Sequence, residues 1–231
     1  MELGQSVTPV EVLRSRALNG KTAEHSISMA QASPKGYGQH PDSASLAASL
    51  GLRAQDIGLS SKARTDSTKP LRARVMSTAT TYHLLVPVSS INALEQAVFQ
   101  IDKLLAQLQN ADERAYGIYL FTDDNSNTGS VGDPTYRARF FSPGMSGEDP
   151  ATRSAAGPLS DFLHQEGYVE TVNGRATIQV RQGLQVGREC VIRVDLSIKG
   201  VGGEDVAVDI IGSGVSFSEG TIVVPDVATQ F

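Results

Sequence analysis

An α+β fold is predicted by three features of this sequence: many short segments alternate apolar and polar residues, only two segments carry a helical period, and Gly-rich turns separate the rest. Along the chain, Val7, Val10 and Val12-Leu13 form a first strand, and Ile27 and Met29 alternate with Ser26 and Ser28 in a second. Asn19-Gly20 lies between them, so the pair reads as a hairpin. Because it opens in mid-sheet, sequence upstream is expected to be missing. Ser33 to Asp42 is read as a loop and domain boundary, punctuated by Pro34, Gly36, Gly38 and Pro41. Two domains are therefore expected, a remnant over 1–42 and a complete unit over 43–231.

Asp42 or Ser43 can cap a short helix through Leu46, Leu50 and Leu52. Lys62, Arg64, Lys69, Arg72 and Arg74 make the one basic cluster, which lacks interleaved aromatics and reads as a solvated loop. Val75 to Val88 holds two strands, with Pro87 placing the second near an edge. After Ser89/Ser90 as cap, Ile91, Leu94, Val98, Ile101, Leu104, Leu105 and Leu108 predict one long helix. Strands follow at 116–122 and 136–141, and after a second helix at 176–180, 192–196, 206–210 and 222–224. Gly212-Ser213-Gly214 is read as a hairpin turn, because no helix follows it to give a phosphate loop its dipole.

Composition narrows the function. Twenty Lys and Arg against 25 Asp and Glu leave a net charge of −5, which gives no reason to expect nucleic acid. No apolar run approaches the roughly 18 residues that span a bilayer, and no secretory leader opens the chain, so a cytoplasmic protein is expected. The lone Cys190 suits a reducing compartment and reads as a small hydrophobe. His25, His40, His83 and His164 stand at no ligand spacing, so surface or capping roles suffice and no metal site is expected.

Chemistry concentrates in Gly147-Glu148-Asp149-Pro150-Ala151-Thr152-Arg153-Ser154-Ala155-Ala156-Gly157-Pro158-Leu159. Asp149 is expected to be the N-cap and Pro150 the first residue of the second helix. Its apolar face is Ala155, Leu159, Phe162 and Leu163, Gly167 ends it, and Pro158 should kink it at the carbonyl of Ser154. Small residues from Ser154 to Gly157 would let strands approach on several sides. The free N–H groups of the first turn, with the Ser154 hydroxyl, can form an anion site. An ordinary capped helix accounts for the same pattern.

Glu148-Asp149-Pro150-Ala151-Thr152 with Ser154-Ala155-Ala156-Gly157-Pro158-Leu159, preceded by Arg139-Phe140-Phe141-Ser142-Pro143-Gly144, closely resembles the signature of the PhzF-like phenazine biosynthesis isomerase family. Gln182-Gly183, Gly187-Arg188, Leu50-Gly51-Leu52 with Asp56-Ile57, and Leu84-Leu85-Val86-Pro87-Val88 resemble it too. The resemblance implies a diaminopimelate epimerase-like fold, an antiparallel sheet or barrel around a central helix in each of two halves, of which this chain would carry one with a remnant of the other. It also implies proton transfer without metal or organic cofactor, done by a glutamate in a Ser-Glu-Thr stretch of the N-terminal half. Asp149 takes a supporting catalytic role. Gly147, Asp149, Thr152, Arg153, Ser154 and Ala155 become the candidate binding residues for a small carboxylate-bearing substrate.

The chain departs from the family pattern in having no such Ser-Glu-Thr stretch and in carrying Arg153 where the family usually has Gly. His40-Pro41 is read as a coincidental match to a Gly-His-Pro element. The expectation is an isomerase or epimerase of secondary metabolism, as a homodimer or paired with an N-terminal half. The alternative is a truncated, non-catalytic member that serves as a binding or assembly partner.

Overall fold

A computed structural model describes residues 9–14, 24–60, 70–124, 133–145, 147–199, 205–215 and 220–221. Their regular elements are, in order, β1 (Val10–Arg14), β2 (Glu24–Gln31), β3 (Lys35–Gln39), α1 (Ser43–Ser49), β4 (Arg74–Thr78), β5 (Thr81–Pro87), α2 (Ile91–Gln96), α3 (Ile101–Ala111), β6 (Ala115–Asp123), β7 (Thr135–Phe141), α4 (Arg153–Gln165), β8 (Arg175–Gln182), β9 (Cys190–Lys199) and β10 (Asp205–Val215). The expected turn at Asn19-Gly20, the strand at 222–224, and Lys62, Arg64 and Lys69 lie outside the described residues.

All ten strands join one sheet in the order β1-β2-β10-β9-β8-β7-β6-β5-β4-β3. The α+β class stands, but the sheet is mixed rather than antiparallel: β5 pairs β6 in parallel, and β7 pairs β8 in parallel. A parallel pair needs a crossover longer than a hairpin, and α2 with α3 supplies the first while α4 supplies the second. Both crossovers step the same way along the sheet, yet β7 runs opposite to β6. Right-handed crossovers from oppositely directed strands fall on opposite faces. Side-chain alternation agrees, since Leu84, Val86, Ile118 and Leu120 pack with α1 to α3, whereas Leu85, Tyr119 and Phe121 pack with α4.

The sheet curls around α4. Its second and tenth strands, β2 and β3, are joined by residues 32–34 alone. Laid flat, strands eight places apart would stand about 38 Å from each other, whereas four Cα steps reach about 14 Å at most. Two hydrogen bonds stitch the approach: Thr78 Oγ1 donates to the Ala32 carbonyl at 3.0 Å, and Ser33 Oγ to the Val206 carbonyl at 2.6 Å. The ladder itself stays open, with β1 and β3 as its ends. Nine successive residues of α4, Ala155 to Leu163, are buried as a result. Gly157 brings β2 close there, since a Cβ in its place would displace the Gln31 side-chain amide.

Several sequence expectations need correction. The 33–42 segment is not all loop, because residues 35–39 form β3, whose pairing to β4 shifts register between Gly36 and Gln39. Asp42 does cap α1, accepting from the Ala44 and Ser45 amides, but the helix ends at Ser49, before Leu50 and Leu52. Gly212-Ser213-Gly214 is no turn; it lies within β10, opposite Ile27, Ser26 and His25 of β2. Pro87 belongs to an interior strand, although at a point β4 no longer reaches.

The long helix of 91–108 is two helices. Arg139 Nη1 donates to the carbonyls of Leu94, Glu95 and Ala97 at 2.8, 3.3 and 3.0 Å, taking acceptors that a continuing helix would offer to residues 98, 99 and 101. The Val98 amide bonds instead to the Leu50 carbonyl. Val98, Ile101 and Leu105 consequently lie exposed rather than in the core.

Candidate functional site

The site is built where β6, β7 and β8 deliver the chain to the start of α4. Glu148 pairs with Arg139 of β7 at 3.0 Å, both side chains nearly buried, so the guanidinium that ends α2 also anchors the loop ahead of α4. Asp149 then rejoins β7 through its amide, which donates to the Phe140 carbonyl.

The helix begins at Arg153, so Asp149 is not its N-cap and Pro150 not its first residue; Thr152 holds the cap position without a side-chain cap bond. The physical reason is Gln182, fully buried at the end of β8. Its Nε2 donates to the Asp149 carbonyl at 2.6 Å and to Thr152 Oγ1 at 2.9 Å, while its Oε1 accepts from the Thr152 amide at 3.1 Å and from the Tyr119 hydroxyl at 3.1 Å. These bonds hold residues 149–152 as a loop. Thr152 Oγ1, accepting from Gln182, donates its own hydrogen to Asp149 Oδ2 at 2.6 Å, and the Ala151 amide donates to Asp149 Oδ1 at 3.3 Å. Gly183, at φ +85°, is needed beside them, because a Cβ would press on Pro150 and the Arg188 carbonyl.

Ser154 lies one residue into the helix, beside His83 of β5, whose Nε2 is 3.1 Å from Ser154 Oγ. His83 is 0% exposed, and burial lowers its pKa to about 4, hydrogen bonding with the Ser154 backbone offsetting only part of that effect. The ring is therefore neutral at ordinary pH. Tyr116 of β6 packs on it with ring centroids 4.9 Å apart. Burial raises the Tyr116 phenol above its usual range, a hydrogen bond from Ser154 works against that, and the Asp149 charge adds to it. Asp149, Ser154, Tyr116 and His83 thus interact as one group at the start of α4.

Thr152 and Ala155 are buried there, Ser154 and Asp149 half-buried, and Arg153 and Gly147 exposed. The Arg153 side chain reaches toward β10, its Nη2 3.9 Å from where a Cβ on Gly212 would stand. Sequence reasoning placed His83 in a surface or capping role, and the structure corrects this. It also left Tyr116, Tyr119 and the amide of Gln182 unassigned. His40, whose match to a Gly-His-Pro element reads as coincidental in the sequence, is buried just past β3, and its Nδ1 accepts from the Asp42 amide. No cluster of three or more His, Cys, Asp or Glu suited to a metal occurs among the described residues.

A sheet curled around one central helix is an architecture shared with solved proteins. The phenazine biosynthesis protein of Bacillus anthracis, of the PhzF family, matches with a TM-score of 0.66 at 21% identity, over 93% of this chain and 65% of that one. A predicted epimerase from Pseudomonas aeruginosa matches with a TM-score of 0.54 at 21% identity, over 93% of this chain and 70% of that one. The chain belongs to the phenazine biosynthesis-like protein family, whose model matches residues 7–220. It is 37% identical over 89 residues to trans-2,3-dihydro-3-hydroxyanthranilate isomerase from Pseudomonas chlororaphis, and 36% identical over the same length to the protein of that name from Pseudomonas fluorescens. Each of those matches covers 38% of this chain and 30% of the relative's length.

Proposed function

We propose that this protein serves as an isomerase or epimerase, moving a proton on a small carboxylate-bearing substrate without metal or organic cofactor. The observation that carries this reading is the convergence of Asp149, Thr152, Ser154 and Tyr116 on the first turn of a buried helix. The amides of Thr152, Arg153, Ala155 and Ala156 already donate within the fold, so what the turn offers an anion is the Ser154 amide and the helix dipole. Ser154 adds a hydroxyl donor, and Arg153, at the first helical position, a guanidinium able to pair with a carboxylate. Gly147 and Ala155 offer space. Asp149, its position fixed by Thr152, supports the proton transfer as a polar partner rather than as the main base. These 231 residues hold no Ser-Glu-Thr stretch of the kind in which the family resemblance places the glutamate for that step.

The test is a titration with benzoate, propionate and trans-2,3-dihydro-3-hydroxyanthranilate, followed by amide shifts, with deuterium incorporation into substrate carbon measured in D2O. Binding should shift the amides of residues 152–156, and Arg153→Gly should weaken it about fivefold or more, as loss of one charged contact does. Carboxylates that leave those amides unmoved would overturn the reading, and binding with no deuterium incorporation would remove the isomerase from it.

A further inference from the structure

His83 is a fully buried polar side chain that binding and chemistry at the first turn of α4 do not yet explain. Along β5 it shares a face with Leu85, which packs against α4, and its ring is closed in by Tyr116 and by Phe140, at centroid distances of 4.9 and 5.4 Å. Nδ1 is buried with no hydrogen-bond partner, and Nε2 faces Ser154. A neutral imidazole carries one N–H and one bare nitrogen, so the partners decide which is which.

The burial of Nδ1 settles the matter. A hydrogen on Nδ1 would be orphaned in the core, whereas a hydrogen on Nε2 has an acceptor in Ser154 Oγ at 3.1 Å. Nε2 therefore carries the hydrogen, and Ser154 Oγ accepts it. With its lone pair engaged from inside the core, the Ser154 hydroxyl has its own hydrogen left for the outer side, where Tyr116 lies.

We propose that His83 is a positioning residue: its Nε2–H, donated to the hydroxyl oxygen of Ser154, turns the Ser154 O–H outward to donate to a carboxylate bound over the first turn of α4. This rests on the reading of that turn as the substrate site.

The experiment has two arms. In the unaltered protein, long-range 1H–15N spectra of the histidine ring at pH 7 should show His83 as the neutral Nε2–H tautomer; an Nδ1–H tautomer or an imidazolium would overturn the proposal with no variant needed. In the second arm, benzoate and propionate are titrated against His83→Leu, His83→Gln, Ser154→Ala and the Leu/Ala double variant. His83→Leu and Ser154→Ala should each weaken binding about tenfold, the double variant should bind no more weakly than Ser154→Ala, and His83→Gln, which keeps a donor near the Nε2 position, should stay within about twofold of the parent. Fully additive losses, or a His83→Leu protein that binds like the parent, would overturn the positioning role while leaving the site reading intact. No shift at residues 152–156 in the parent itself would instead bring down the site, and this role with it.

Discussion

Gln182 engages both ends of its amide within one segment, and no atom of it is exposed. Replacing it with Leu keeps the volume but strands the Thr152 amide and the Tyr119 hydroxyl in a dry core, which costs about 2–4 kcal/mol. Gln182→Leu should therefore lower the urea midpoint, and the Asp149 to Thr152 amides should lose protection from exchange before the sheet does. Unaltered protection of that loop would mean the glutamine is not what keeps Asp149 out of the helix. None of this was legible in the sequence: a glutamine at the end of a strand looks the same whether it faces solvent or a helix start. His83 was hidden for the same reason, since a lone histidine in an apolar strand gives no sign of what lies across the core. Asp149, Thr152 and Ser154 were legible as a group, because acidic, hydroxyl and small residues packed before an apolar period mark a helix start. Which of them caps it was not.

The α2–α3 break shows the corresponding limit for an element. Its apolar period is continuous from Ile91 to Leu108, and local sequence favours one helix. What interrupts it is a guanidinium from β7, more than 40 residues away along the chain. The break makes a checkable distinction within a single apolar stripe. Leu104, 4% exposed, should cost about 2–4 kcal/mol as Ala, while Ile101, 61% exposed, should tolerate Lys within about 0.5 kcal/mol. Thermal unfolding of the two variants measures both, and a large loss at Ile101 would show the stripe to be buried as one helix. Arg139→Met should be the more severe change, at about 3–5 kcal/mol, because it leaves Glu148 unpaired in a site where that carboxylate is only 6% exposed. Helix α4, by contrast, was readable almost to the residue at its far end: Gly167 stands just past it with φ +71°. Its nine buried residues follow from the small side chains that the sequence already displayed.

Across the whole molecule, two buried groups set opposing pH dependences. Asp161 of α4 is 1% exposed, and burial raises its pKa to about 6 against the attractions of His164, Gln165 and Arg74. A folded value above the ordinary 3.8 means that stability is full below that value and is lost as pH rises through about 6. His83 is displaced the other way, from 6.5 to about 4, so its contribution is full above 6.5 and is lost as pH falls toward 4. Each is worth about 3 kcal/mol at its limit, and between pH 4 and 6 they oppose one another. Asp161→Asn should remove one slope, leaving a protein more stable than the parent at pH 7 and steeply less stable on acidification. Urea unfolding at pH 4.5, 6 and 7 checks this, and parallel curves for parent and variant would show that Asp161 is not protonated by burial. The sheet's overall order was only partly legible, because the alternation that reveals strands is silent on which neighbours pair and in which direction.

The short link from β2 to β3 also dictates an order of events during synthesis. Ser33 and its partner Val206 lie 173 residues apart in the chain, and β2 pairs with β10 over its whole length. At ribosomal rates of about 5–20 residues per second, β2 waits roughly 9–35 s between its own emergence and that of β10. Throughout that interval it has β1 on one side and an unpaired edge on the other, and α4, made only late in it, still lacks the strand that closes over Gly157. Nascent chains of this protein therefore carry an open strand edge from the emergence of β2 to that of β10, an exposure that the finished fold no longer shows and that invites escort by a chaperone able to hold an extended strand.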